Sequence, residues 1–480
     1  MEITSFGASH LSRLIQAKQV SCQELMQATL KQIDHVNPQV NAIVNLRNEA
    51  SLMQEAADHD ELLAQGLSKG WLHGIPQAIK DMAPAKGLPN TQGSQLLKNF
   101  CPKQDGLMVQ RMKAAGCIVI GKTNTPEFGL GSHTFNEVFG ATRNAFDTSK
   151  SAGGSSGGAA VALATRMLSV ADGSDFMGSL RNPAAWGNVF GMRPSQGRVP
   201  MWPASDVWIA QLGTEGPMAR DVESLAMLLQ TQSGYSPNAP FSIASSAYSM
   251  PATGHFSLKN QRIAWLGDLN GHLSTEAGVL DSCSAALQRM ADAGAVVSPC
   301  ALGMPPDQVW QAWLTWRYAL VGARIAPHLI KSSNREKIKP EALWEYDCSL
   351  HLKGTDLMRA SATRTSFYQA MLQLFEHHDF LALPAVQMWP FPIEQRWPTE
   401  MVTANGTRSM DTYHRWMECT IYATFAGLPA ISLPCGFNAQ GLPMGVQIIG
   451  KPQGDLGLLA LSAAYEATAQ DILQRRPNVI

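Results

Sequence analysis

The stretch that decides the fold reads Ser151-Ala-Gly-Gly-Ser155-Ser156-Gly-Gly-Ala-Ala160, and it runs directly into Val161-Ala-Leu-Ala164. Two serines flanked on both sides by paired glycines are unusual. Glycine opens backbone conformations closed to other residues and lets neighbouring groups approach closely. A flexible Gly/Ser linker would continue polar. This run continues apolar and compact instead, as a helix over Ala159–Met167. A short strand over Leu168–Ala171 follows, then Gly173-Ser-Asp-Phe-Met-Gly178-Ser179-Leu-Arg-Asn-Pro183. A serine in a Gly-containing turn beyond a strand is where α/β enzymes often display a nucleophile. Upstream, Gly74-Ile-Pro-Gln-Ala-Ile79-Lys80-Asp81 puts a lysine at the end of an apolar run. Taken singly, Lys80 is an ordinary solvated lysine and Ser179 a loop hydroxyl.

Outside that centre the chain alternates strand-like and helix-like segments. Ser21-Cys-Gln-Glu24 has capping-box spacing. Leu25, Met26, Thr29, Leu30, Ile33 and Val36 then follow helical spacing, with Asn37-Pro38 expected to stop it. Strands are expected at Ile75–Ile79, Cys117–Ile120, Ile263–Leu266, Ala430–Pro434 and Gly445–Ile449, and an amphipathic helix at Thr275–Ala293. This alternation predicts an α/β fold with a mixed, mostly parallel twisted sheet covered by helices on both faces. Residues 235–258 are polar and aperiodic and read as a surface connection.

Composition narrows the function. The 480 residues are 45% hydrophobic and 16% charged, which excludes disorder. A net charge of -1 supplies no field for nucleic acid or an anionic membrane, so neither is expected as a partner. No apolar run reaches membrane-spanning length, and no signal peptide is expected. The eight cysteines form no C-x-x-C pair, which points to reduced thiols and a cytoplasmic protein. Gly116-Cys-Ile-Val-Ile-Gly121-Lys122-Thr123 fits the P-loop pattern formally. Its centre should itself be strand, and Pro126 discourages the helix that a phosphate cradle needs. No metal and no cofactor is expected.

Taken together, these segments resemble the amidase signature family. That family carries a lysine ending G-[IV]-P-x-x-x-K-D, a bridging serine in G-G-S-S-G-G and a nucleophile in D-x-G-G-S-[IL]-R. The matching residues are Lys80, Ser155 and Ser179, separated by 75 and 24 positions as is usual there. Thr123-Asn-Thr-Pro-Glu-Phe-Gly129, Ala426-Gly-Leu-Pro-Ala430 and Gly441-Leu-Pro-Met-Gly-Val-Gln447 are similar to further family segments. The resemblance implies one domain over 1–480, with a signature core at about 60–230 and 420–475. The Trp-rich stretch at about 300–420 is then the variable substrate-pocket region. It also implies a Ser–cis-Ser–Lys triad with a cis peptide before Ser155, an acyl-enzyme on Ser179 and an oxyanion hole of N–H groups from Phe176, Met177, Gly178 and Ser179. Ser156, Ser174, Asp175 and Arg181 are supporting residues, Asp175 and Arg181 as a pair bracing the turn.

One departure stands out. The family usually has D-x-G-G-S, and here Met177 replaces the first glycine. Any residue but proline keeps an N–H, so the oxyanion chemistry survives. The expectation concerns shape: an awkward φ at Met177, or a side chain that narrows the site. The implied substrate is a small-molecule carboxylic amide with an aryl or bulky apolar group, with esters or carbamates as side substrates. The glutaminase subunit of a tRNA amidotransferase is the alternative. A homodimer is left open. For Trp310, Trp313 and Trp316, pocket lining competes with plain core packing.

Overall fold

The computed structural model describes residues 2–244 and 256–480, so the 245–255 part of the expected surface connection lies outside the described residues. The first strands build a small sheet: β1 (Ile43–Val44), β2 (Pro76–Lys80) and β3 (Ile118–Thr123), in the order β1-β3-β2. β2 and β3 run parallel, joined by a crossover that includes the Leu107–Ala114 helix. This places Lys80, the last residue of β2, at the sheet's C-terminal edge.

The large sheet is built from β4 (Val170–Asp175), β5 (Phe190–Arg193), β6 (Thr214–Ala219), β7 (Arg262–Trp265), β8 (Val296–Pro299) and β9 (Phe380–Pro384). An isolated ribbon, β10 (Glu400–Thr403) with β11 (Gly406–Ser409), intervenes before β12 (Ala430–Phe437) and β13 (Pro443–Gly450). The strand order is β4-β6-β5-β12-β13-β9-β7-β8. Every residue of β13 is buried, so helices cover both faces at the sheet's centre. The Arg181–Gly187 and Val279–Asp292 helices both pack on β12 and β13.

The sheet is mixed, as expected, but not mostly parallel. Of its seven neighbouring pairs only β7–β8 and β7–β9 are parallel, and the other five are antiparallel. For β12 and β13 the reason is connection length. Parallel neighbours need a long crossover. The turn between β12 and β13 is too short for one, and β5 turns back on β6 and β12 at the centre.

Local signals were realised with small shifts. Ser21 caps the Cys22–Val40 helix in a true capping box with Glu24. That helix runs through Pro38 and ends at Asn41, in the left-handed conformation with φ 52°. Asn37 shapes the exit, because its Oδ1 accepts from the N–H groups of Ala42 and Ile43. The expected helix at 159–167 forms as Gly157–Ala164, and the strand after it as Val170–Asp175. The P-loop-like run is a buried strand. Lys122 turns into the core, donating to the Ala83 carbonyl at 2.6 Å and Asn90 Oδ1 at 3.1 Å.

Candidate active site

The glycines around Ser155 permit close approach rather than flexibility. A Cβ at Gly157 would lie 2.3 Å from Thr134 Oγ1, and one at Gly158 2.4 Å from the Asn124 nitrogen. This packing lays the Gly157–Ala164 helix against β2 and β4 and points its first residues at Lys80. The Gly154–Ser155 peptide is cis. Lys80 Nζ donates to Ser155 Oγ at 2.9 Å, Ser156 Oγ at 2.8 Å and Ser174 Oγ at 3.0 Å. Ser156 caps no backbone N–H of its helix with its hydroxyl, which is spent on Lys80 and on the Ser174 backbone. Lys80, Ser155, Ser156 and Ser179 are all buried, and the Ser156 N–H donates to the Ser179 carbonyl at 3.2 Å. Among the described residues Ser179 Oγ makes no hydrogen bond. Such contacts commonly tighten only when substrate binds.

Charge around Lys80 explains its ionisation. Burial pulls its ammonium down to about 7, against the upward pull of Asp172, Asp175 and Glu215. Asp172 lies two residues before Ser174 on the same face of β4, and its Oδ2 accepts from the Lys80 backbone N–H at 3.1 Å. Its Oδ1 has no partner among the described residues, and burial raises its carboxyl to about 6. Glu215 stands directly across from Ser174 in the β4–β6 ladder, where burial and the neighbouring Asp172 raise it to about 8.

Asp175 organises the turn that carries Ser179. Its carboxylate accepts from Arg181 Nη2 at 2.9 Å, Arg181 Nε at 3.0 Å, the Gly178 N–H at 2.9 Å and the Leu180 N–H at 3.2 Å. Burial alone would raise this carboxyl, yet Arg181, Arg193 and the Gly178 N–H hold it well below the usual carboxylate range. The expected Asp175–Arg181 pair therefore exists, fully buried. Arg181 extends the brace to the C-terminal segment, through the Thr420 carbonyl at 2.9 Å, Thr424 Oγ1 at 3.0 Å and Gln447 Oε1 at 2.6 Å.

Two expectations about the turn need correction. The Gly178 N–H is spent on Asp175, so it is not a free oxyanion donor; the N–H groups of Phe176, Met177 and Ser179 make no hydrogen bond among the described residues. The awkward φ falls on Gly178, at +83°, and not on Met177. A Cβ at Gly178 would also lie 2.6 Å from Thr420 Cγ2. Met177 is buried at 2% exposure, with its sulfur 3.5 Å from Arg317 Nη1. The half-buried side chain of the turn is Phe176, which packs against the apolar cluster of Phe128, Leu130, Val321, Ile325, Ile338 and Ala342.

The tryptophans divide between the two readings. Trp310, Trp313 and Trp316 are all buried on the Pro306–Ile325 helix. Only Trp313 meets the turn, with its ring 5.5 Å from that of Phe176. Trp416 stacks on Trp186 at 5.6 Å in the core. A surface cavity of about 530 Å³, lined by Gln95, Leu96, His328 and Lys331 among others, holds none of Lys80, Ser155 and Ser179.

Sequence reasoning missed Asp172, Glu215, Arg193 and Arg317. An acidic residue in the apolar run Val170–Ala171, sharing a face with Ser174, was a usable signal for Asp172. Glu215 had none, since its place depends on non-local pairing. Among the described residues no helix is long and apolar enough to cross a membrane, and no group of His, Cys, Asp and Glu could hold a metal ion.

Comparison with known proteins agrees with this geometry. The sequence matches the Amidase family over residues 24–459. It is 30% identical to an acylamidase of Rhodococcus erythropolis, covering 96% of this chain and 95% of that one. It is equally 30% identical to a glutamyl-tRNA(Gln) amidotransferase subunit from Moorella thermoacetica, covering 100% of this chain and 99% of the other. A bacterial aryl acylamidase of the amidase signature enzymes superposes with a TM-score of 0.89 at 29% identity, covering 98% and 99% of the two chains. With the lysine, the paired serines and the Asp175-braced turn assembled on that fold, the chain belongs to the amidase signature family of amide hydrolases.

Proposed function

We propose that this chain hydrolyses a carboxylic amide bearing an aryl or bulky apolar group, through an acyl-enzyme on Ser179. The observation that carries the reading is the buried Lys80 ammonium, held near neutrality and bonded to Ser155 Oγ at 2.9 Å beside the Ser179 turn. A serine hydroxyl is a weak nucleophile without a base. Neutral Lys80 is that base. Ser179 Oγ attacks the amide carbon while its proton passes to Ser155, whose own proton passes to Lys80. The carbonyl oxygen becomes an oxyanion facing the free N–H groups of Phe176, Met177 and Ser179. As the C–N bond breaks, the proton returns from Lys80 through Ser155 to the leaving amine. Water then enters by the same relay and releases the acid. Esters and carbamates share the acyl-enzyme or carbamoyl-enzyme route.

Phe176, Trp313 and the Phe128 cluster give the turn an apolar surround, which supports an aryl or bulky group over a small polar one. The cysteines are unpaired and five are buried, which suits a reducing, cytoplasmic setting. The glutaminase reading stays as the second one, because the amidotransferase relatives match over the same full length. Partner chains would then be required for glutamine turnover.

The test is labelling by a fluorophosphonate and turnover of an anilide, in wild type and Ser179→Ala. Wild type should react at one site and Ser179→Ala should lose about 10⁶ in turnover. Retention of a tenth of wild-type activity in the variant would refute the assignment of the nucleophile.

A further inference from the structure

Arg317 is a buried cation on a helix otherwise lined with tryptophan, at 2% exposure. Its guanidinium reaches three partners. Nε donates to Glu345 Oε1 at 2.5 Å, Nη2 to the Tyr413 hydroxyl at 2.7 Å, and Nη1 to Met177 Sδ at 3.5 Å. The Tyr413 hydroxyl in turn donates to Glu345 Oε1 at 2.9 Å. The guanidinium carbon also lies 5.7 Å from the Phe176 ring centre, and Trp313, one turn earlier, meets the same ring. One turn of helix therefore grips both side chains of the Phe176-Met177 dipeptide, whose N–H groups are free.

The Ser179 turn is thus held from two sides. Asp175 fixes its core side through the Gly178 and Leu180 N–H groups. Arg317 holds the Phe176 and Met177 side chains. A glycine at 177, as the family usually has, would give Arg317 no side chain to hold. A sulfur is a weak but polarizable acceptor for a guanidinium. Stability alone does not demand this arrangement, since well-packed apolar side chains replace buried ion pairs without loss. The fan of donors does something an apolar residue cannot: it fixes the directions of three groups at once.

We infer that Arg317 is a positioning residue for the oxyanion turn, aiming the Phe176 and Met177 N–H groups and so coupling the Trp-rich segment to the reacting carbonyl. The inference rests on the reading of Ser179 as nucleophile. Misaimed donors penalise the transition state more than the bound substrate, so the loss falls on kcat.

The experiment compares wild type, Arg317→Met/Glu345→Met and Met177→Gly. The double variant leaves neither charge buried alone, and Met177→Gly keeps the ion pair and the Arg317–Phe176 contact while removing the Met177 side chain that Arg317 holds. Each is assayed for kcat and KM on one anilide, and for affinity toward an aryl trifluoromethyl ketone, which adds Ser179 Oγ to form an oxyanion. A non-reacting aryl amide serves as the ground-state control. Expected is a kcat about tenfold to a hundredfold lower in the double variant, KM within about threefold, and ketone affinity reduced in step with kcat/KM while the control ligand binds as before. Met177→Gly should fall in the same direction by several-fold, and decides the matter if the double variant does not fold. An unchanged kcat, a loss confined to KM, or equal weakening of ketone and control ligand would overturn the inference. Failure of wild type to react with fluorophosphonate would instead overturn the Ser179 reading beneath it.

Discussion

Replacing Asp172 with asparagine should shift the acid limb of the pH–rate profile to lower pH. In the proposed relay Lys80 accepts a proton only when neutral, and burial pulls it down to about 7. Activity should therefore rise with pH, from roughly a tenth of its plateau at pH 6 to roughly nine-tenths at pH 8. Asp172 titrates at about 6, so it is anionic over most of that limb and favours the charged ammonium. Its Oδ2 lies 3.1 Å from the Lys80 backbone nitrogen, and an extended lysine side chain carries Nζ roughly 6 Å further. At an effective dielectric constant of about 20, that combined separation of roughly 9 Å gives roughly 1.8 kcal/mol, or about 1.3 pKa units. Asparagine keeps the acceptor for the Lys80 N–H and removes only the charge. The limb should then move down by about 1 unit. The assay is kcat/KM for an anilide between pH 4.5 and 9, with thermal unfolding followed at each pH. A limb that stays in place or moves up, or wild-type activity that falls as pH rises through 7, would refute the reasoning.

Asp175→Ala should destabilise the fold by about 3–5 kcal/mol, because Arg181 and Arg193 are left buried without their counter-charge. Urea unfolding followed by tryptophan fluorescence measures this, and a cost below about 1 kcal/mol would contradict the brace. An anilide should exceed acetamide and glutamine by tens-fold or more in kcat/KM, and Trp313→Ala should narrow that gap. Equal rates on the small polar amides would favour the amidotransferase reading. Chelation with EDTA should leave activity unchanged, since the proposed relay uses only Lys80, Ser155 and Ser179; loss restored by zinc would contradict it.

Legibility in the sequence tracked locality. The capping box at Ser21, the glycine-flanked serines and the strand ending at Lys80 each lie in one short run, and each formed within a few residues of its expected place. Strand direction was less legible, because whether β5 meets β6 and β12 antiparallel depends on chain returns of tens to hundreds of residues. Within the site the Ser179 turn was visible as a motif. The spending of the Gly178 N–H on Asp175 was not, since it depends on how a six-residue turn closes on its own carboxylate. The direction of the Met177 side chain depended on Arg317, 140 positions away. Asp172 was open to detection, as a charge on the buried face of a strand.

The order of strands also sets a timetable for synthesis. Phe190–Arg193 pairs on one edge with Thr214–Ala219, which follows it closely, but on the other with Ala430–Phe437. Roughly 240 residues separate the two partners of that second edge, which at about 5–20 residues per second is about 12 to 48 seconds of translation. Through that interval the nascent chain presents an unpaired, apolar strand edge, the kind that templates association with other chains. Arg181 likewise waits for Thr420, Thr424 and Gln447 before its guanidinium is satisfied. The brace of the Ser179 turn is therefore complete only once β13 has left the ribosome, and a ribosome stalled before residue 430 would hold a chain with a sticky, unpaired strand edge.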